Sequence, residues 1–288
     1  MSPSHMSPSR PMPDPRPARR MAVISGIDEL TPDLGRLFVV VGVFDGLHRG
    51  HAYLLEHLVE EANRRSARPA VVTFDHHPDE ILTGAAPPLL CDPDERLARL
   101  EAAGVEVTVV QHFDVALRMT PFDAFIGRIA AGAPLAGFLM TPDSAFGHER
   151  GGTVETVTAL GASRGFEVAV IPNLEIDGQP VRSSDIRAAI AAGDLLGACQ
   201  LLGRPYAVVG RRSGPSLGEQ LGLAFPMPVA LPPAGEYSIV VEAPSSDLDR
   251  QASGAVEARA TISADGTATV TGAAVAAASA VRLVFACA

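Results

Sequence analysis

Cysteine is scarce in this chain: Cys91, Cys199 and Cys287 are the three in 288 residues. Odd in number and far apart, they spell neither a disulfide framework nor a zinc spacing, and they fit a reducing cytoplasm. Long apolar runs are missing too. No stretch reaches the roughly 18 residues of a membrane span, and the Ala-rich segment from Gly272 to Ala280 is short and soon followed by Arg282. The first twenty residues lack the apolar core of a signal peptide. Rich in Pro, Ser and Arg, residues 1–21 are expected to be a disordered tail, and Met21 offers a second translation start. Positive charge is in deficit, with 23 Lys and Arg against 33 Asp and Glu and a net charge of -10. That balance argues against nucleic acid or an anionic membrane as partner, because phosphates repel an acidic surface. An anionic ligand therefore needs a local positive site. What remains is a chain that is 47% hydrophobic, with material for a sizeable core and a length that suits two domains.

The pattern along the first two-thirds alternates. Phe38 to Val43 is a β-branched run that reads as a buried strand. It is followed by a helical pattern from His51 to about Arg65, with Leu54, Leu58 and Ala62 on one face. Pro69 to Phe74, Val105 to Val110 and Glu167 to Ile171 read as further strands, and Pro134 to Met140 is apolar again. Glu95 to Ala103, Phe122 to Ala131, Val154 to Arg164 and Ser184 to Ala192 read as helices, several closed by glycine. Strands alternating with helices predict an α/β fold, a Rossmann-like parallel sheet that binds ligands beyond the carboxyl ends of its strands. After Pro205 the character changes to short runs divided by Pro and Gly. Tyr237 to Val241, Ala255 to Ile262, Ala268 to Thr271 and Val281 to Phe285 read as strands, with Asp265-Gly266 as a hairpin signal. The expected organisation is a tail over 1–21, an α/β domain over 22–204 and a small all-β, barrel-like domain over 205–288.

Chemistry concentrates in a few segments. Gly42-Val43-Phe44-Asp45-Gly46-Leu47-His48-Arg49-Gly50-His51 lies between a strand and a helix. Its glycines allow close backbone approach, the helix start offers free N–H groups to a phosphate, and His48 and His51 flank Gly50 so that both can address one triphosphate. Asp75-His76-His77-Pro78 stands at a strand's carboxyl end, where adjacent histidines suit a ligand site, a metal or a solvated turn. Ser183 or Ser184 caps the helix that follows, and Arg187 lies one turn along, where it adds charge for a phosphate.

The first of these segments resembles the signature of the bacterial FAD synthetases, the bifunctional riboflavin kinase/FMN adenylyltransferases of the HxGH nucleotidyltransferase superfamily. Further landmarks follow in order. Val72 to Pro78 is similar to the family's F-D-P-H-P, with His76 replacing a proline. Asp143-Ser144-Ala145-Phe146-Gly147 is similar to D-F-R-F-G, without the first aromatic and the arginine, for which the nearby Arg150 is a substitute. Val181 to Arg187 resembles I-S-S-T-x-I-R, and Leu201 to Tyr206 resembles the domain junction. The resemblance implies an FMN adenylyltransferase that uses ATP and Mg2+. It implies catalytic roles for His48, His51 and Arg187. Nucleotide and phosphate contacts fall to Gly42, Phe44, Asp45, Gly46, Gly50, Asp143, Ser183 and Ser184, and flavin contacts to Asp75, His77 and Pro78.

The second domain departs further from the family. Its kinase half carries a P-T-A-N turn whose Thr and Asn serve ATP and metal, and Pro226-Met227-Pro228-Val229 stands there instead. Leu231 to Tyr237 still resembles the next family strand, so the barrel is expected without kinase activity. The altered His76, Ser144 and Ala145 keep open a different phosphorylated acceptor or CTP, and a non-catalytic flavin or nucleotide sensor is the remaining alternative.

Overall fold

The computed structural model describes residues 20–214, 220–244, 255–271 and 279–287. The expected tail, up to residue 19, and most of the Ala-rich segment lie outside them. In chain order the first part comprises β1 (Ala22–Ile24), β2 (Leu37–Val41), α1 (Arg49–Arg64), β3 (Arg68–Phe74), α2 (Pro78–Thr83), α3 (Pro93–Ala102) and β4 (Val107–Gln111). There follow α4 (Val115–Arg118), α5 (Phe122–Gly132), β5 (Leu135–Met140), α6 (Val154–Arg164) and β6 (Glu167–Val170). A two-residue-stranded hairpin, β7 (Glu175–Ile176) and β8 (Gln179–Pro180), precedes α7 (Ser183–Ala191) and α8 (Leu195–Leu202). The second part comprises β9 (Ala207–Arg212), β10 (Gln220–Ala224), β11 (Gly235–Glu242), β12 (Val256–Ile262), β13 (Ala268–Thr271) and β14 (Ala280–Phe285).

Six parallel strands form one sheet in the order β1-β4-β3-β2-β5-β6. The two-residue period of a strand divides β2 between two cores. Leu37 and Val39 join Val72, Phe138 and Ile126 on one face, whereas Phe38 and Val40 join Leu55, Leu58 and Val71 on the other. Residues buried on both faces read as continuous apolar runs, which is why β2, β3 and β5 were visible in the sequence. From β2 the chain winds one way through β3 and β4, and β5 and β6 are laid down on the other side. The switch point therefore falls between β2 and β5, where ligands of such sheets bind. Among the described residues no helix is long and apolar enough to cross a membrane.

The second part is a closed antiparallel barrel, β10-β13-β12-β11-β14-β9, and closure leaves no unpaired edge. Its inward residues, among them Leu221, Leu223, Ile239, Val241, Leu283 and Phe285, share one core with Leu90, Ile186, Ile190, Leu195 and Leu202. Helices α7 and α8 thus pack against the barrel, and a change in sequence character near Pro205 does not mark a break in packing. Strands β9 and β10 and helix α8 were not anticipated. Gly210 and Gly222 weaken the strand signal, and α8 buries Leu195, Ala198 and Leu202 against the barrel core while the apolar Leu196 stays exposed, so its sequence shows no clear amphipathic period.

Two further ties cross this junction. Leu89 donates its N–H to Pro228 O at 2.8 Å and accepts from Ala230 N at 2.9 Å. Cys199 on α8 is joined to Cys287, beyond β14, by a disulfide. The sequence showed no disulfide pattern among the cysteines, and this pairing corrects that reading. Their separation of 88 residues hid it, because a disulfide depends on a Cα–Cα distance, here 6.0 Å, that only the fold sets. Cys91 stays free and buried.

A charged knot lies in the same junction. Arg282 of β14, 5% exposed, donates to both carboxylate oxygens of Glu95 on α3 at 3.0 and 3.1 Å and to Glu242 at 2.7 Å. Arg99 also donates to Glu95. Burial acts to raise the Glu95 carboxyl, but the hydrogen bonds and charge of Arg282 and Arg99 outweigh it and hold it below its ordinary range. Removing one member of such a knot strands a buried charge, at about 3 kcal/mol or more. Arg282→Met is expected to cost that much in urea unfolding. Adding Glu95→Leu is expected to recover part of the loss, since the most deeply buried carboxylate of the knot is then no longer left short of Arg282.

Candidate functional site

The loop from β2 to α1 is built on an unusual backbone. Phe44 and Leu47 have φ of 53° and 38°, left-handed values that non-glycine residues seldom adopt, and Gly46 has φ of 77°. Gly46 is also pressed against its neighbour, since a Cβ there would lie 2.8 Å from Leu90 Cβ. The winding is held by groups beneath it. Asp45, 3% exposed, accepts the Leu90 N–H at 2.9 Å and Arg187 at 2.6 Å. Ser183 Oγ donates to Asp45 O at 3.1 Å, and the Arg204 guanidinium donates to the carbonyls of Gly46 and Leu47 at 2.5 and 3.2 Å.

This fixed loop delivers two imidazoles. His48 is the N-cap of α1, its Nδ1 accepting from His51 N at 3.3 Å. A neutral imidazole that accepts at Nδ1 carries its proton on Nε2, so the cap leaves Nε2–H as a donor. His51 stacks on His48 with centroids 3.7 Å apart and rings inclined by 19°. Gly50 makes room for the stack, because a Cβ would come within 3.1 Å of His48 Nδ1 and 3.2 Å of Val181 O. Burial first, then Arg204 and Arg187, push His48 down to about 4. His51 is held well below the ordinary histidine value by burial, then by His48 and Arg204. Both rings are neutral donors at neutral pH, and the buried Nδ1 of His51 has no hydrogen-bond partner.

Both histidines line a cleft of about 310 Å3 at the carboxyl ends of β2 and β5, together with Gly42, Phe44, Gly50, Asp143 and Ser183 from the sequence reading. Arg182, Thr141, Asn173 and Tyr53 also line it and were not singled out. Arg182 was within reach, sitting one residue before the serines in a quoted motif. Thr141 and Asn173 show no motif, yet they set Asp143 by donating to its Oδ1 at 2.8 and 3.1 Å. Burial opposes ionisation of Asp143, but these bonds prevail and lower its pKa. The chain contains no lysine, so every fixed side-chain cation of the site is an arginine. A second chamber of about 270 Å3 shares Val41 and Asp143 with the first and is lined by Met140, Ser144, Ala145, Phe146 and Arg150. Arg150 donates to Asp143 O at 3.2 Å.

Other expected residues sit apart from the cleft lining. Asp45, Gly46 and Arg187 lie beneath the loop, and Arg187 spends its guanidinium on Asp45 and Pro88 O. Neither serine caps α7. Arg182 occupies the cap without a side-chain bond, and Ser183 and Ser184 are the first helical residues, whose hydroxyls turn to Asp45 O and Asp185. Asp75, His77 and Pro78 gather at the end of β3. There His77 caps α2 by accepting from Asp79 N, and Pro78 opens that helix.

Residues 31–185 match the FAD synthetase family model. The chain belongs to the FAD synthetase family. Curated relatives are bifunctional riboflavin kinase/FMN adenylyltransferases. That of Haemophilus influenzae is 33% identical over 205 residues, 70% of this chain and 67% of its own length. Those of Pseudomonas fluorescens and Escherichia coli K12 are 32% identical over 70% of this chain and 66% of theirs. The matched segment thus spans about two-thirds of these relatives. A macrolide-efflux protein from Streptococcus pneumoniae has the same fold, with a TM-score of 0.75 over 92% of this chain and 89% of its own, at 22% identity. The match runs from before β2 into α7 and so includes the loop and the histidine pair.

The neutrality of His48 has a consequence for stability. Below the ordinary value of 6.5 the unfolded chain takes up a proton that the folded ring refuses until about 4. Stability is therefore fully present above pH 6.5 and falls as pH drops through that window, by the order of 3 kcal/mol for this one group. In His48→Asn, which preserves a capping side chain, urea unfolding between pH 4 and 6.5 is expected to lose a corresponding part of its pH dependence.

Proposed function

We propose that this chain transfers the adenylyl group of MgATP to the phosphate of FMN, releasing pyrophosphate and forming FAD. The observation that carries the reading is the stacked, neutral pair His48 and His51 at a helix N-terminus in the switch-point cleft of a FAD synthetase family member. An FMN phosphate oxygen attacks the α-phosphorus of ATP. The bond from that phosphorus to the oxygen bridging to the β-phosphorus breaks, and pyrophosphate leaves with the electron pair. The nucleophile is already an anion, so no general base is required. Catalysis rests on alignment and on donors aimed at charge that builds on the leaving group. Neutral imidazoles serve here as hydrogen-bond donors. The helix start and Arg182 supply the positive potential that an acidic protein otherwise lacks. Asp143 is the carboxylate of the cleft that would hold a Mg2+ accompanying ATP, and the ion would supply neutralisation of phosphate charge. Two adjoining chambers suit a reaction of two substrates.

Arg187 acts in this reading through Asp45, as a residue that positions the loop. Ser144 and Ala145 in the second chamber favour one further reading, in which the acceptor is a different phosphorylated molecule. The barrel carries no kinase activity. Met227 and Val229 supply neither metal-binding oxygens nor phosphate donors, and the backbone around Pro228 is bonded to Leu89.

Purified protein given FMN, ATP and magnesium is expected to form FAD with stoichiometric pyrophosphate, and CTP is expected not to replace ATP. His51→Ala is expected to lower turnover by roughly two orders of magnitude, the scale of losing one transition-state donor. An unchanged rate in a folded variant would remove His51 from the chemistry. With riboflavin in place of FMN, flavin separation is expected to show no FMN. Accumulation at an enzyme-like rate, from protein free of host kinase, would restore the kinase to the barrel.

A further inference from the structure

His76 and His77 are adjacent, yet the fold gives them separate tasks. His77 turns inward and caps α2. His76 faces outward beside Asp75, with Nδ1 3.1 Å from Asp75 Oδ1, and the ring of His112 meets it edge-on at 5.7 Å. His112 follows directly on β4, the parallel neighbour of β3, and Asp75 N donates to Gln111 O at 3.2 Å across the two strand ends. The three side chains thus come from the carboxyl ends of adjacent strands and owe their meeting to strand register.

We propose that Asp75, His76 and His112 form a binding site for a zinc-class divalent transition-metal ion, separate from the MgATP cleft. One ligand atom from each residue can be chosen so that all lie within 4.8 Å of one another. A metal at roughly 2.1 Å from its ligands holds them about 3.4 Å apart when tetrahedral. Side-chain exposures of 49% for His76 and 63% for His112 leave both rings free to make that adjustment. The carboxylate is already oriented. Its Oδ1 accepts the backbone N–H groups of His76 at 2.7 Å and Phe113 at 3.1 Å. Its Oδ2 faces His112 Nδ1 at 2.7 Å. Backbone bonds of this kind hold a ligand carboxylate in place before the metal arrives. Two imidazoles and one carboxylate select zinc, nickel, copper or iron over magnesium and calcium, which favour all-oxygen shells. Three protein ligands leave a coordination position open to water or a substrate oxygen. A bound ion would clamp the ends of β3 and β4, and with them the turn that leads into His77 and Pro78. The inference does not depend on the adenylyl-transfer reading, because none of the three residues lines the cleft.

The experiment uses full-length protein without an affinity tag, stripped with chelator and dialysed, and titrated with Co2+ followed by Zn2+. One equivalent of Co2+ with visible d–d absorption is expected, displaced by Zn2+ and untouched by excess Mg2+. His76→Ala and His112→Ala are each expected to weaken binding at least about tenfold, the loss known even for residues that only support a metal ligand. His148→Ala is expected to leave it unchanged. His112→Arg separates the site from a simple ion pair. It keeps a hydrogen-bond donor opposite Asp75 Oδ2, so melting without metal is expected to stay as in the parent, while the rise in melting temperature with Zn2+ disappears. Absence of stoichiometric binding, or binding that survives both alanine substitutions, would overturn the proposal. The first result would leave an ion pair only, and the second would place the ion elsewhere.

Discussion

A single buried carboxylate holds the site together. Asp45 sits almost wholly out of water, where an unpaired charge is prohibitively costly. It is tolerated because Leu90 N–H and the Arg187 guanidinium converge on it. Those partners come from distant parts of the chain, so satisfying one charge fixes three segments relative to each other. The consequence is visible one residue before it and two residues after it. Phe44 and Leu47 keep left-handed backbones that cost of the order of 1–3 kcal/mol each and persist only where surrounding structure over-determines them. Asp45 and Arg204 supply that determination, and the loop so fixed sets His48 as a cap and His51 on its ring.

The barrel belongs to the same mechanical unit. Its core continues into α7 and α8, and α7 carries Ser183 and Arg187, which touch Asp45. The segment around Pro228 pairs with Leu89, whose neighbour Leu90 is bonded to Asp45 in turn. Arg282 reaches out of the barrel to Glu95, and Cys287 to Cys199. The barrel thus has a structural task, because the other domain's loop leans on it. The backbone bonds at Leu89 also give a physical reason for Pro228, whose carbonyl is used while its missing N–H is not needed.

Electrostatics follow from the same enclosure. For the proposed reaction, an acidic chain without lysine has arginines, a helix start and neutral imidazoles to offer a triphosphate rather than a broad positive field. Keeping the histidines neutral prevents two stacked cations from repelling each other in a buried space, and neutral donors still serve an anion well.

The sequence alone determined what is local. Runs buried on both faces betrayed β2 and β3, glycine ends closed α6, and the Gly42 to His51 spacing placed two histidines and a glycine at a helix start, because 3.6-residue periodicity and capping chemistry act over a few neighbours. The motif residues were therefore legible, and so was the all-β character after Pro205. Tertiary structure decided which of them face the cleft. Arg187 and Asp45 looked like ligand residues and proved to be partners of each other, since a buried charge takes the nearest opposite charge that the fold supplies. Thr141, Asn173 and Arg182 entered the site through strand order at the switch point, and His112 met Asp75 through the register of β4 on β3. The Cys199–Cys287 bond was hidden for the same reason. Contacts between residues far apart in the chain are fixed by strand order, register and shared cores, and a linear pattern carries no record of those distances.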